Sequence, residues 1–137
     1  MADCIFCQVV AGELPSYKIY EDQEFIAILD IFPKSEGHTL VIPKKHVEWV
    51  WDYPDLSQYF AVVGKIARHL RQKTGQAVVR GLVFGLDVPH AHVHLMPGKL
   101  DQGTPQKLPV AKLQALAQKL KLSSWPLDSF HKTSIQY

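Results

Sequence analysis

Apolar positions along the chain change their period twice. In "SYKIYEDQEFIAILDI" (16–31) a β-prone run, Tyr17 to Tyr20, precedes a polar stretch, Glu21 to Glu24, and an apolar run, Phe25 to Ile31. This predicts two strands with a turn between them. After a loop, "FPKSEG" (32–37), "HTLVIP" (38–43) predicts a third strand, stopped by Pro43. From Pro54 the period lengthens: Leu56, Tyr59, Phe60, Val63, Ile66, Ala67 and Leu70 recur at three- and four-residue intervals. That spacing predicts an amphipathic helix ending near Thr74 and Gly75. "AVVRGLVFGL" (77–86) reads as one or two strand segments broken at Gly81 and Gly85, and Val88 to Pro97 as a further strand. Pro109 to Leu122 returns to helical spacing through Val110, Leu113, Leu116, Ala117 and Leu120. The pattern is α+β with a mostly antiparallel sheet.

The last of these strands raises a chemical question. "VPHAHVHLMPG" (88–98) places His90, His92 and His94 at alternate positions, with Ala91, Val93 and Leu95 between them. Successive side chains of a strand point to opposite faces, so the imidazoles share one face and the apolar residues the other. The apolar face has a use as core. A row of half-buried polar rings adds little to a fold and points to function. One zinc ion held by all three rings does not fit. The outer two sit four residues apart, roughly 13 Å between Cα atoms on a strand, whereas Zn–N distances are about 2 Å. The row is therefore divided between tasks.

Totals limit the alternatives. The 137 residues suffice for one domain, and 47% hydrophobic with 20% charged residues is an ordinary globular composition. A net charge of +2 with no Lys/Arg run gives no electrostatic case for nucleic acid as a partner. No basic segment leads into an apolar run at the start, and no stretch of 18 apolar residues occurs. A cytoplasmic protein without membrane contact is expected. There a CxxC pair, Cys4 and Cys7, favours a metal or redox chemistry over a structural disulfide. Cys4, Cys7, His46 and His90 together make a two-thiolate, two-imidazole set suited to tetrahedral zinc. Two free thiols, or a thioredoxin-like pair, remain alternatives at this point. Asp30 ends an apolar strand, where an aspartate is usually a turn or cap. His69 and His131 have no partner in the pattern and are expected at the surface.

Taken together, "PHAHVHLMP" (89–97), "GHTLVIPKKH" (37–46) and "CIFCQVVAGELPSYKIYEDQEFIAILDI" (4–31) resemble the Hint branch of the histidine triad (HIT) superfamily, in its zinc-binding bacterial form. The resemblance implies a single HIT domain over 1–137, with a motif-bearing core at 4–97 and a C-terminal helix and tail at 105–137. It implies a five-stranded antiparallel sheet with two main helices, paired with a second sheet in a homodimer. It also implies action at the α-phosphate of purine nucleotide adducts through a nucleotidyl-histidine. His92 would be the nucleophile, with His94 on the phosphate and His38 close to the scissile bond. Asp30 would hold the ribose, and Phe6, Val9, Ile28 and Ile31 would form the walls around the base. Cys4, Cys7, His46 and His90 would hold a structural Zn2+.

The chain departs from the family pattern just before the triad. The family commonly has "GQ" and then a hydroxyl residue there, and "GLDVPH" (85–90) puts Leu86 and Asp87 in those places. A nucleoside phosphoramidase-like hydrolase is the leading expectation. A dinucleoside polyphosphate hydrolase, and a nucleotide-binding regulator with weak catalysis, are the alternatives.

Overall fold

A computed structural model describes residues 3–122. Five strands, β1 (Lys18–Glu21), β2 (Phe25–Leu29), β3 (Thr39–Pro43), β4 (Val79–Leu82) and β5 (Val93–Pro97), form one sheet in the order β1-β2-β3-β5-β4. Every pairing is antiparallel. The described helices are α1 (Ile5–Val10), α2 (Leu56–Thr74) and α3 (Val110–Leu120). No described helix is long and apolar enough to cross a membrane. His131 and the tail after Ser123 lie outside the described residues.

Strand β2 explains how the sheet is covered on both sides. All five of its residues are buried. Phe25, Ala27 and Leu29 face a core shared with Tyr59, Val63, Ile66 and Leu70 of α2 and Leu113 and Leu120 of α3. Ile26 and Ile28 face the other way and pack with Leu40, Ile42 and the α1 residues Phe6 and Val9. A strand buried on both faces reads as a continuous apolar run, and 25–31 is such a run.

Helix α2 occupies the predicted span. The Asp55 side chain accepts a hydrogen bond from the backbone N–H of Gln58 at its start, and Gly75 closes it in the left-handed conformation, φ 73°. A glycine takes that conformation without the steric penalty of a Cβ. Phe60, placed on the apolar stripe by its spacing, is instead exposed.

Three expectations need correction. Val79–Leu82 is one strand that runs through Gly81, so only Gly85 marks a break. The histidine strand starts later than the alternation suggests, at Val93. The backbone N–H of Ala91 donates to the carbonyl of Val47 (2.7 Å), in the loop after β3. The segment before β5 is thus bonded outside the sheet, yet it keeps the alternation of faces. His69 is not a free surface residue: its Nε2–H donates to the Leu120 carbonyl (2.6 Å) and ties α2 to the end of α3.

Candidate active site

Ala91, Val93 and Leu95 join the core beneath α2 and α3. His90, His92 and His94 therefore face the α1 side, and all three are buried. The edge of the Phe6 ring lies against His90 and His92, with centroids 5.9 and 5.1 Å apart. The sequence reading assigned no helix to 5–10. Six residues are too few to show a period, and the only local signal is Cys4, whose sulfur caps the helix by accepting from the Cys7 N–H.

Backbone contacts set the tautomers of His92 and His38, and His38 in turn sets that of His94. His92 Nδ1–H donates to the carbonyl of His90 (2.8 Å), because a carbonyl can only accept. The Nε2 of His92 is then bare, with its lone pair available. His38 Nδ1 accepts from the backbone N–H of Lys34 (3.1 Å), so its proton sits on Nε2. That Nε2–H donates to His94 Nδ1 (2.9 Å), and the remaining proton of His94 is therefore on Nε2. His94 Nε2 is buried with no hydrogen-bond partner among the described residues. A buried N–H without a partner is costly, and a ligand oxygen would satisfy it. Burial lowers the pKa of both His38 and His94 to about 4, so both rings are neutral near pH 7.

Beside these rings lies a cavity of about 540 Å³. Phe6, Val9, Ile28, Ile31, Asp30, His38, His92 and His94 all line it, so every residue predicted for base, ribose and phosphate meets in one place. Asp30 is also the turn residue its position suggested: Oδ1 accepts from the Phe32 N–H (2.8 Å). Burial raises its carboxyl pKa. Its Oδ2 is 3.6 Å from His38 Nε2. The sequence reading missed Leu14, Tyr17, Lys34 and Pro105 on the cavity wall. They come from loops and a strand edge that carry no chemical motif.

A second cluster sits behind His90. His90 Nδ1 is 3.3 Å from Cys4 Sγ and 3.5 Å from Cys7 Sγ, and His46 Nδ1 is 3.2 Å from Cys7 Sγ and 3.1 Å from His90 Nδ1. His90 Nε2–H donates to the Pro43 carbonyl (2.8 Å), which leaves Nδ1 deprotonated and free to ligate. Zinc bonds of about 2.0–2.3 Å in a tetrahedron give ligand–ligand edges of roughly 3.3–3.8 Å. The four donor atoms, all within 4.8 Å of one another, fit that frame. Burial and the neighbouring Cys4 raise the pKa of the Cys7 thiol, a cost that a cation between the sulfurs would reverse. Asp30, His38 and His94 are also close enough to surround a metal, but the His38 nitrogen facing that group carries a proton, so they do not fit one.

Residues 11–101 match the HIT domain family model. The chain belongs to the HIT family. Among curated HIT relatives, Protein hit of Bacillus subtilis is 43% identical over 102 residues, covering 69% of this chain and 70% of that protein. Adenosine 5'-monophosphoramidase HNT1 of Saccharomyces cerevisiae is 36% identical over 99 residues, 70% of this chain and 63% of that protein. Among solved structures, a zinc-bound histidine triad family protein from Mycobacterium smegmatis superposes with a TM-score of 0.74 at 28% identity, covering 99% of each chain. The five-stranded antiparallel sheet is the fold expected of this HIT protein.

Proposed function

We propose that this HIT protein hydrolyses nucleoside phosphoramidates, with His92 as nucleophile. One observation carries the reading: the bare Nε2 of His92 and the unpartnered Nε2–H of buried His94 belong to two rings lining the same cavity, 5.0 Å apart between centroids. A nucleophile next to a preset donor is what attack on a phosphoryl group needs. The relative named adenosine 5'-monophosphoramidase supports the substrate class.

His92 Nε2 forms a bond to the α-phosphorus. The P–N bond breaks, its electron pair stays on the departing amine nitrogen, and that nitrogen takes a proton. His38 and His94 are neutral near pH 7 and have no spare proton, so solvent supplies it. His94 Nε2–H donates to a phosphoryl oxygen. Water then adds its oxygen to phosphorus, the P–Nε2 bond breaks and a proton leaves. The net reaction turns adduct and water into nucleoside monophosphate and amine. Asp30 holds the ribose hydroxyls, and Phe6, Val9, Ile28 and Ile31 enclose a purine.

Cys4, Cys7, His46 and His90 would hold one zinc ion. With four protein ligands it has no open position, so what it supplies is structural: it ties α1 to the segment that carries the nucleophile. We also assign the protein to the cytoplasm, where its two free cysteines stay reduced. It pairs as a homodimer, because β4 leaves one sheet edge open with Arg80, Gly81 and Leu82 exposed. A monomeric mass by light scattering at micromolar concentration would overturn the pairing.

Turnover tests the main reading. Wild-type protein is expected to release amine from an AMP phosphoramidate and to give an acid-quenchable nucleotidyl adduct. His92→Ala is expected to give neither while still binding AMP. Near wild-type turnover by His92→Ala would overturn the assignment, and faster cleavage of diadenosine polyphosphates would move the protein to the other enzymatic class.

A further inference from the structure

The large cavity is lined by His94, whose Nε2–H is buried and unpartnered among the described residues and calls for a ligand oxygen. That donor sits on an uncharged ring, since burial keeps His94 and its neighbour His38 neutral near pH 7. Two carboxyl groups, those of Asp30 and Asp87, line the same cavity. An anion brought into such surroundings is costly without a countercharge. Among the described residues lining the cavity, Lys34 is the one Lys or Arg.

The backbone of Lys34 is pinned beside the paired rings. Its N–H donates to His38 Nδ1 (3.1 Å), and its carbonyl accepts from the Asp101 N–H (2.6 Å). Lys34 is exposed and makes no ion pair among the described residues, so its ammonium is available to a ligand. Its charge is felt where the unpartnered donor lies: it pulls down the pKa of Asp30, His38 and His94 alike.

We propose that Lys34 is the countercharge for the phosphoryl group and makes the site selective for nucleotides that are anionic at the α-phosphorus over uncharged analogues of the same shape. This rests on the phosphoramidase reading and names the charge that its site recognises. His94 Nε2–H can bond an oxygen of either ligand, whereas an ammonium distinguishes the charged one. Exposed pairs are worth little each, so the contribution is expected to be about fivefold in affinity and to shrink with salt.

Calorimetry tests this with AMP and with 5'-O-sulfamoyladenosine, an uncharged analogue that keeps the tetrahedral centre and its oxygens. Both are titrated into the wild type, Lys34→Gln and Lys34→Arg. Lys34→Gln is expected to lose about fivefold in AMP affinity while its sulfamate affinity stays unchanged, and Lys34→Arg is expected to keep both. High salt is expected to weaken AMP binding more in the wild type than in Lys34→Gln. A purely structural role for the side chain would weaken both ligands equally. That result, or an unchanged AMP affinity in Lys34→Gln, would overturn the inference. Turnover of an AMP phosphoramidate by the wild type is measured in parallel. Its absence, with the loss in Lys34→Gln still confined to AMP, would sink the phosphoramidase reading and leave the role of Lys34 standing.

Discussion

Acid should destabilise this protein in a defined pH window through His38 and His94. Burial holds both rings at about 4 in the folded chain, whereas an unfolded histidine titrates near ~6.5. Between these values the unfolded state binds more protons than the folded one. Stability is therefore fully present above about pH 6.5 and is lost as the pH falls towards 4. At roughly 1.4 kcal/mol per pKa unit, each ring contributes on the order of 3 kcal/mol over the window. The rings are hydrogen bonded to each other (2.9 Å) and so titrate as a pair, and the loss belongs to the pair, of which His94→Asn removes one site. Domains are only about 5–15 kcal/mol stable, so such a loss is large. The perturbation is His94→Asn, whose amide oxygen can still accept from His38 Nε2–H but does not titrate. Urea midpoints are measured at several pH values between 7 and 4, with zinc release followed in the same samples. Any metal release at low pH is common to both proteins, and following zinc separates it from the histidine effect. The wild type is expected to lose stability more steeply than His94→Asn, by about 1–3 kcal/mol across the window. Parallel curves would refute the reasoning.

Gly85→Ala is expected to destabilise the fold by more than about 1 kcal/mol, because Gly85 has φ +80° and an added Cβ would lie 2.6 Å from Trp49 Cζ3. Urea denaturation checks this, and a neutral effect would show that Trp49 yields freely. Cys4→Ser is expected to lower zinc content well below one equivalent and to reduce Tm by several degrees, since metal binding is linked to folding. Elemental analysis and calorimetry read both, and full zinc with unchanged melting would remove Cys4 from the ligand set.

What the sequence made legible follows from which interactions are local. Helix α2 was readable close to its end because its apolar stripe and its Gly75 stop are signals local to the element. The faces of the triad were readable because alternation survives in any extended backbone. The boundary of β5 was not, since it depends on where the Ala91 N–H finds its acceptor, and Val47 is 44 positions away. Helix α1 was hidden for a related reason: it is held by packing of Phe6 and Val9 on Ile26, Ile28, Leu40 and Ile42 rather than by its own period. The residues proposed for base, ribose and phosphate came from a family resemblance to short motifs, whereas the candidate metal set was already suggested by the CxxC pair with two histidines. The cavity walls contributed by Leu14, Lys34 and Pro105 had no such signal.

The alternation of the triad now has a physical account that each ring alone would not supply. His90 turns its ring away from the large cavity, Nε2–H on the Pro43 carbonyl and Nδ1 towards the two sulfurs. Its own backbone carbonyl meanwhile receives the Nδ1 proton of His92. One residue thus contributes a donor atom to the cysteine cluster and sets the tautomer two positions on. His94 continues the same face into β5, where the sheet brings β3 alongside and His38, at the head of that strand, reaches its Nδ1. Removing one residue from between any two of these rings would turn the next side chain into the core beneath α2. Spacing by two is what lets a single backbone direction serve a metal-type cluster, a bare imidazole nitrogen and an unpartnered donor in sequence. The apolar residues between them anchor that backbone to the core, which keeps the three rings in register.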